Sequence, residues 1–532
     1  MYDYVIVGAG SAGCVLANRL SEDPDVSVLL LEAGGPDTND LVHLPAAFPA
    51  LYRTAQDWDH STIYEPHAND RRIYLPRGKV LGGSSSINAM IYIRGNRADY
   101  DGWGLDGWRF DDLLPYFKRA EDNERGASDY HGAGGPLPVS EGRSRNPLSQ
   151  AFLDAAAARG LAANPDFNGA EQEGVGWYQL TQRGGARASA AVAYLHPVLD
   201  RPNLTVETHV HALAILFEGE RAVGVRGARL SEPIDFRAER EVIVACGAYN
   251  SPQLLMVSGL GRPEELEPLL IQVVAEVPQV GLNLQDHPNG GVIYAIDEEV
   301  SLFGKLNEEN LALFKTEGQG PLTSNVAEAG GFVRTRDGLD APDVQFHFVP
   351  GRFLSEGLVP GDGHGFSLGT CVLKPKSRGY VALGSPDPTA KPLIVHNYLE
   401  HDDDVASLVA GVRMATEICA TGPLAGLATD MIEGPASDSD DDVLAHVRQH
   451  VMTIYHPVGT CRMGDDDGAV VDRELRVRGV ESLRVVDASV MPDVPRGNTN
   501  APTIALAERA ADLIRGRAPL AGEKAPEAAT PA

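Results

Sequence analysis

The run Gly8-Ala9-Gly10-Ser11-Ala12-Gly13 follows an apolar, β-branched stretch over residues 4–7, and it constrains this chain more than any other feature. A strand stopped by Gly8, a helix-periodic segment over 15–20 and a second strand-like run over 26–31 make a β-α-β unit. Glu32 closes the second strand about 20 residues after the glycines, where an acid can accept the ribose hydroxyls of a dinucleotide whose pyrophosphate lies on the helix N-terminus. Ala33 and Gly34 follow it, with no Arg to meet a 2′-phosphate. The pattern therefore predicts a dinucleotide site at Gly8, Gly10, Ser11, Ala12, Gly13, Glu32 and Ala33. No second fingerprint occurs, so the chain carries no further dinucleotide domain of this type and its reducing equivalents come from another source.

A chain of 532 residues predicts two or three domains. The segments most like strands of one buried parallel sheet lie at 4–7, 241–245 and 483–486, at the start, middle and end of the chain. The domain that contains them is therefore expected to be discontinuous, with a second domain inserted. With 74 acids against 45 Lys and Arg, the net charge of -29 repels nucleic acid and anionic membrane surfaces. The five cysteines are scattered without a C-x-x-C pair, which argues against a disulfide framework or a cysteine zinc site. The opening MYDYVIVGAG has no basic leader, and no apolar run is long enough to span a bilayer, so a cytoplasmic protein without an integral membrane segment is expected. The Ala-, Pro- and Glu-rich residues 518–532 are expected to be disordered.

Four further segments carry a family resemblance. Gly78-Lys79-Val80-Leu81-Gly82-Gly83-Ser84-Ser85-Ser86-Ile87-Asn88 and Gly247-Ala248-Tyr249-Asn250-Ser251-Pro252 through Gly261 resemble the two signatures of the glucose-methanol-choline (GMC) flavin oxidoreductases. Gly281-Leu282-Asn283-Leu284-Gln285-Asp286-His287 and the stretch 455–507 fit the same family, most like its bacterial choline-dehydrogenase-like alcohol dehydrogenases. The resemblance implies an α/β fold: a Rossmann-like FAD domain from residues 1–150, 195–292 and 453–517, and an inserted substrate domain of mixed sheet and helices from 151–194 and 293–452. It places Gly82, Gly83, Ser84, Asn88, Ala89, Val210, Asp487, Ala488, Asn500 and Ala501 on the FAD. Independently of the family, a Gly-Gly-Ser loop offers small residues and exposed amides where a ring or phosphate lies against the backbone. Members that tether the flavin covalently have a histidine immediately before the loop Asn; Ile87 stands there, so the FAD is expected to be non-covalent.

His456, in Tyr455-His456-Pro457-Val458-Gly459-Thr460-Cys461-Arg462-Met463-Gly464, and Asn500, in Gly497-Asn498-Thr499-Asn500-Ala501-Pro502, are the implied catalytic pair. Asn500 also reads as a helix N-cap. The implied reaction is oxidation of an alcohol, a primary one by preference, to a carbonyl by hydride transfer to flavin N5, with His456 as base and oxygen, a quinone or another carrier as electron acceptor. A hydroxynitrile lyase of the same family is the alternative. Competing patterns are weaker. Gly365-Phe366-Ser367-Leu368-Gly369 matches a hydrolase elbow but lacks its strand and helix context. His446 and His450 have zinc-ligand spacing, yet Val447 stands where a zincin has Glu, and no metal is expected. The acid runs at 402–404 and 438–442 read as helix caps. Phe303, Phe314, Phe332, Phe346, Phe348, Phe353 and Phe366 read as core, and Glu328 as an acid suited to a cationic substrate.

Overall fold

The computed structural model describes residues 1–359 and 361–526. Strand Tyr2–Val7 pairs in parallel with Val28–Leu31 on one side and with the end of Glu232–Val244 on the other. Leu204–Glu207 extends the sheet beyond Val28–Leu31, and Leu483–Val485 beyond Glu232–Val244. In chain order the five parallel strands lie 3-2-1-4-5, the doubly wound arrangement whose crevice opens beside the first strand. Val5, Ile6 and Val7 and all four residues of Val28–Leu31 are buried, as a parallel sheet covered on both faces requires. The strand expected at 241–245 is the end of a longer one. Its first half pairs antiparallel with Arg221–Arg229, and His211–Glu218 follows, so this seven-stranded sheet mixes directions.

Helix Ser11–Leu20 leaves the first strand and packs against the C-terminal helix Asn500–Ile514. Glu508, buried between them, accepts from Arg19 at 2.8 Å and from the Tyr194 hydroxyl at 2.9 Å, so its charge is met by donors on two other segments. The second large sheet orders its strands Ala428–Glu433, Pro288–Ile296, Gly365–Val372, Val344–Val349, Ala329–Val333 and Gly174–Trp177, with Met452–Thr453 paired to Pro288–Ile296. All of its ladders are antiparallel. Val292, Phe346, Phe348, Phe366 and Leu368 bury one face with Leu408 and Val412 of helix Asp402–Cys419. The other face looks toward the first sheet.

The weak hydrolase match is no elbow: Ser367 sits inside strand Gly365–Val372, where its hydroxyl donates to Gly351 O at 2.8 Å and accepts from Phe353 N at 2.9 Å. Several sequence expectations do change. Glu328 is buried and accepts from Ser144 and Ser324 hydroxyls at 2.6 and 2.7 Å and from Asn146 N and Ser149 Oγ at 2.9 Å; it anchors loops and meets no ligand. The acids at 402–404 and 440–442 occupy first helical turns, but the caps are His401 and Ser439. Residues 518–526 do not stray from the body: Leu520 N donates to the Tyr116 hydroxyl at 3.0 Å, Glu523 pairs with Lys118 at 2.5 Å and Ala525 is buried. Residues 527–532 of the expected tail lie outside the described residues.

The fingerprint helix reaches its strand because Gly13 has no side chain. A Cβ there would stand 1.9 Å from Gly8 O, whereas one at Gly10 would meet nothing closer than 4.0 Å. Gly13→Ala is therefore expected to cost about 1–3 kcal/mol of overpacking, and Gly10→Ala within about 0.5 kcal/mol of nothing, in urea unfolding of ligand-free protein. Equal midpoints for the two variants would contradict this packing.

Candidate active site

One unbroken cavity runs from the fingerprint turn to the open face of the second sheet. Gly8, Gly10, Ser11, Ala12, Glu32, Ala33 and Val210 line one end, and Gly83, Ser84, Asn88, Ala89, Asp487, Ala488 and Asn500 the middle. Asn289, His347, Val349, His456 and Asn498 close the other end. Three predicted residues stand behind the wall. Gly13 seats the helix, Ala501 is buried in the C-terminal helix, and Gly82 donates its N–H to Ala9 O at 2.8 Å. That bond ties the Gly-Gly-Ser loop to the fingerprint. Gly83, at φ 54, lies so close that a Cβ would sit 2.6 Å from Gly10 Cα.

Helix Ser11–Leu20 begins without a side-chain cap, which leaves its first-turn amides to an anion. Glu32 accepts from Ala9 N at 2.9 Å and Gly34 N at 2.8 Å, and it still faces the cavity with acceptor capacity to spare. Burial pushes its carboxyl up to about 7, against those amides and Lys79. Asp487 accepts from Gly247 N at 2.9 Å and Ser251 Oγ at 2.5 Å, and so locks the 247–261 segment beside the first strand. Trp58 and His211 join the Glu32 end, in edge contact at 5.4 Å. Neither lies in a local pattern that could have announced it.

At the far end His456 donates its backbone N–H to Asp286 Oδ1 at 2.8 Å. Its ring tautomer follows from a chain of bonds. His287 Nε2 lies 3.1 Å from Leu373 O, and a carbonyl can only accept, so that nitrogen carries the proton. His287 Nδ1 is then an acceptor, and His456 Nδ1, 3.0 Å away, is the donor. The His456 Nε2 lone pair is left to accept from the Asn498 amide at 3.1 Å. Burial, then His287, His347 and Arg77, holds this imidazole well below its ordinary 6.5. Tyr455, adjacent, has a left-handed backbone at φ 73, rare for an aromatic residue and held by Arg77 donating to its carbonyl at 2.6 Å.

His456 and Asn500, the implied catalytic pair, both line the cavity but are not bonded to each other. Asn500 is the first residue of the C-terminal helix rather than its cap, which is Thr499, and its Oδ1 accepts from Ser11 Oγ at 2.7 Å. The amide that meets the imidazole belongs to Asn498, two residues earlier. Asn289 Oδ1 and His347 Nδ1, also on this wall, are buried without partners, which is costly unless a ligand supplies them. The other histidine pair is spent on structure: His446 Nε2 meets Gly291 O at 2.8 Å and His450 pairs with Glu433 at 3.2 Å. Among the described residues no group of three or more His, Cys, Asp or Glu is arranged to hold a metal ion.

Most of the segments singled out in the sequence thus line one cavity. A family model described as GMC oxidoreductase matches residues 2–289, and its C-terminal counterpart matches 375–507. The chain belongs to the GMC oxidoreductase family. An "Alcohol dehydrogenase [acceptor]" of Pseudomonas putida is 46% identical, with 97% of this chain and 96% of that protein covered. "Oxygen-dependent choline dehydrogenase 1" of Chromohalobacter salexigens is 45% identical, covering 98% and 96%. Among solved structures, pyridoxine 4-oxidase from Mesorbium loti superposes with a TM-score of 0.89 at 32% identity, over 97% of this chain and all of that one. Among the described residues of this GMC oxidoreductase, no helix is long and apolar enough to cross a membrane.

The bond chain makes His456 a neutral Nδ1–H imidazole. Because its pKa is lowered, the neutral form persists as pH falls until the depressed value is reached. In the selectively ¹⁵N-labelled protein, with the signal assigned by its loss in His456→Gln, the ring nitrogens are expected to keep the neutral Nδ1–H pattern from pH 9 to below 6.5. Titration near 6.5, or an Nε2–H pattern, would contradict the chain.

Proposed function

We propose that this oxidoreductase uses FAD to oxidise the CH–OH group of an alcohol, a primary one by preference, to a carbonyl. The observation that carries the reading is the neutral His456 imidazole, aimed by its bond chain into the same cavity that the dinucleotide fingerprint opens. Glu32, the first-turn amides after Gly10, the Gly83–Ser84 loop and Asn88 would hold the cofactor. The uncapped helix end, the free acceptor capacity of Glu32 and the glycines where backbone meets backbone all suit it. When bound, FAD supplies the hydride acceptor.

The chain's own work is the proton. An alcohol gives up hydride as its oxygen becomes alkoxide-like, so the site needs a base and then a donor to the oxyanion. His456 Nε2 is the base, with one lone pair to offer. The Asn498 amide occupies it at rest, so an arriving hydroxyl takes over that lone pair and the amide turns its donor to the substrate oxygen. His456 then becomes an imidazolium whose Nδ1–H is already received by His287. Asn500 serves the cofactor side, at the positive end of its helix. The electron acceptor is oxygen, a quinone or another carrier. Five cysteines without disulfide partners suit a reducing, cytoplasmic setting.

Two outcomes test this. Because Ile87 offers no ring nitrogen, acid or denaturant should release all of the FAD intact; flavin that stays with the precipitated chain would refute non-covalent binding. In anaerobic stopped-flow experiments, His456→Gln should keep its flavin and be reduced by alcohol ~10²- to 10⁴-fold more slowly. His287→Leu should lower the limiting reduction rate without changing substrate affinity, and should alter its pH profile, as loss of the tautomer lock requires. Flavin that is never bleached by any alcohol would point instead to lyase chemistry. Reduction of His456→Gln at the wild-type rate would remove His456 as the base.

A further inference from the structure

A second cavity lies against the reactive end of the first. The two share Val326, Val349 and Phe353 in their linings, so the space before His456 adjoins the space beyond at these side chains. The outer chamber is walled chiefly by apolar groups, among them Ala46, Leu302, Phe303 and Leu322, and Phe303, Leu306 and Val359 there are exposed. Ser367 of the second sheet bonds both Phe353 N and Gly351 O, which fixes the backbone that carries the phenyl ring.

We infer that the outer chamber receives the uncharged, extended apolar tail of the alcohol whose hydroxyl meets His456, which makes an alkyl-chain alcohol the substrate class. This rests on the alcohol-oxidising reading above and deepens it. A cationic end is disfavoured by what the cavities hold. Three acids line the main cavity: Glu32 at the fingerprint, Asp487 bound to Gly247 and Ser251, and Glu433 paired with His450. Glu328, the acid most suggestive of a cation partner in the sequence, is consumed by three hydroxyls and an amide. Lys305 stands at the outer chamber instead, where it repels an ammonium group, whereas Arg352, also there, is paired with Asp362 at 2.6 Å.

Tertiary alcohols test the binding without turnover, since a 2-methylalkan-2-ol keeps the hydroxyl and tail but has no hydrogen on the carbinol carbon. In calorimetry on the holoenzyme, affinity should rise about fourfold per methylene once the tail passes Phe353, and level off when the chamber is full. Ala46→Trp, which fills the chamber, should flatten that slope; Phe353→Ala, which opens the wall, should start it at a shorter chain. A trimethylammonium group at the far end of the chain should abolish the gain. Flavin content verifies that each variant is folded, and the two substitutions act in opposite directions, so a damaged fold cannot imitate both. No dependence on chain length in the wild type, or an unchanged slope in Ala46→Trp, would overturn the inference. Because binding of inert alcohols is read separately from anaerobic bleaching by primary alcohols, failure of the chamber and failure of the alcohol-oxidising reading give different results.

Discussion

Asp286 is buried where the two large sheets meet, and it accepts four hydrogen bonds: the backbone amides of His287 and His456 at 2.8 Å, the Tyr398 hydroxyl at 2.6 Å and the Thr453 hydroxyl. No cation pairs with it among the described residues. Its charge is met entirely by fixed donors, which hold direction better than a mobile side-chain cation does. Two of those donors are the amides of the two histidines that then bond ring to ring. One carboxylate therefore sets the spacing of residues 169 apart in the chain. The left-handed backbone at Tyr455 is the cost of bringing His456 round to this anchor.

The site's electrostatics run opposite to the charge of the whole. A net charge of -29 lies mostly on the surface, where solvent screens it. Inside, Arg77 stands beside the histidines, and the uncapped ends of helices Ser11–Leu20 and Asn500–Ile514 both open on the cavity. Those two helix ends are joined by the Ser11–Asn500 bond, so the positive field facing a bound anion is assembled from the two ends of the chain. Burial, with the neighbouring His287, His347 and Arg77, keeps His456 unprotonated, which is the form a base must have.

How much of this was legible in the sequence follows from how local each feature is. The fingerprint could be read because strand, glycines and Glu32 lie within one βαβ unit and each has a fixed backbone task. The discontinuous sheet was visible in three apolar runs, but the meander from His211 to Glu232–Val244 was not, because its strands alternate buried and exposed residues only loosely. Asn498 and Asn500 occur in one short motif and are chemically identical. Only the three-dimensional turn at Gly497, with φ 129, decides which amide reaches the imidazole and which reaches Ser11. Glu328 misled for the complementary reason: a sequence names a residue type, whereas its partners in the fold decide its task. The composition of 518–526 suggested disorder, and contacts with the helix Phe110–Ala120 outweighed it.

Likeness to relatives alone does not choose a substrate. The chain is about as similar to a protein named for alcohol as to one named for choline, at 46% and 45% identity. Selection must therefore come from the groups that touch the rest of the molecule, and these lie on the second sheet and the loops that cover it. A trimethylammonium head loses much of its hydration on entering such a site, and it is compensated only by a free carboxylate or by aromatic faces. Among the described residues the acids that line the cavity are already bonded, and an alkyl chain needs no such partner: it has no hydration to lose and gains from every apolar contact.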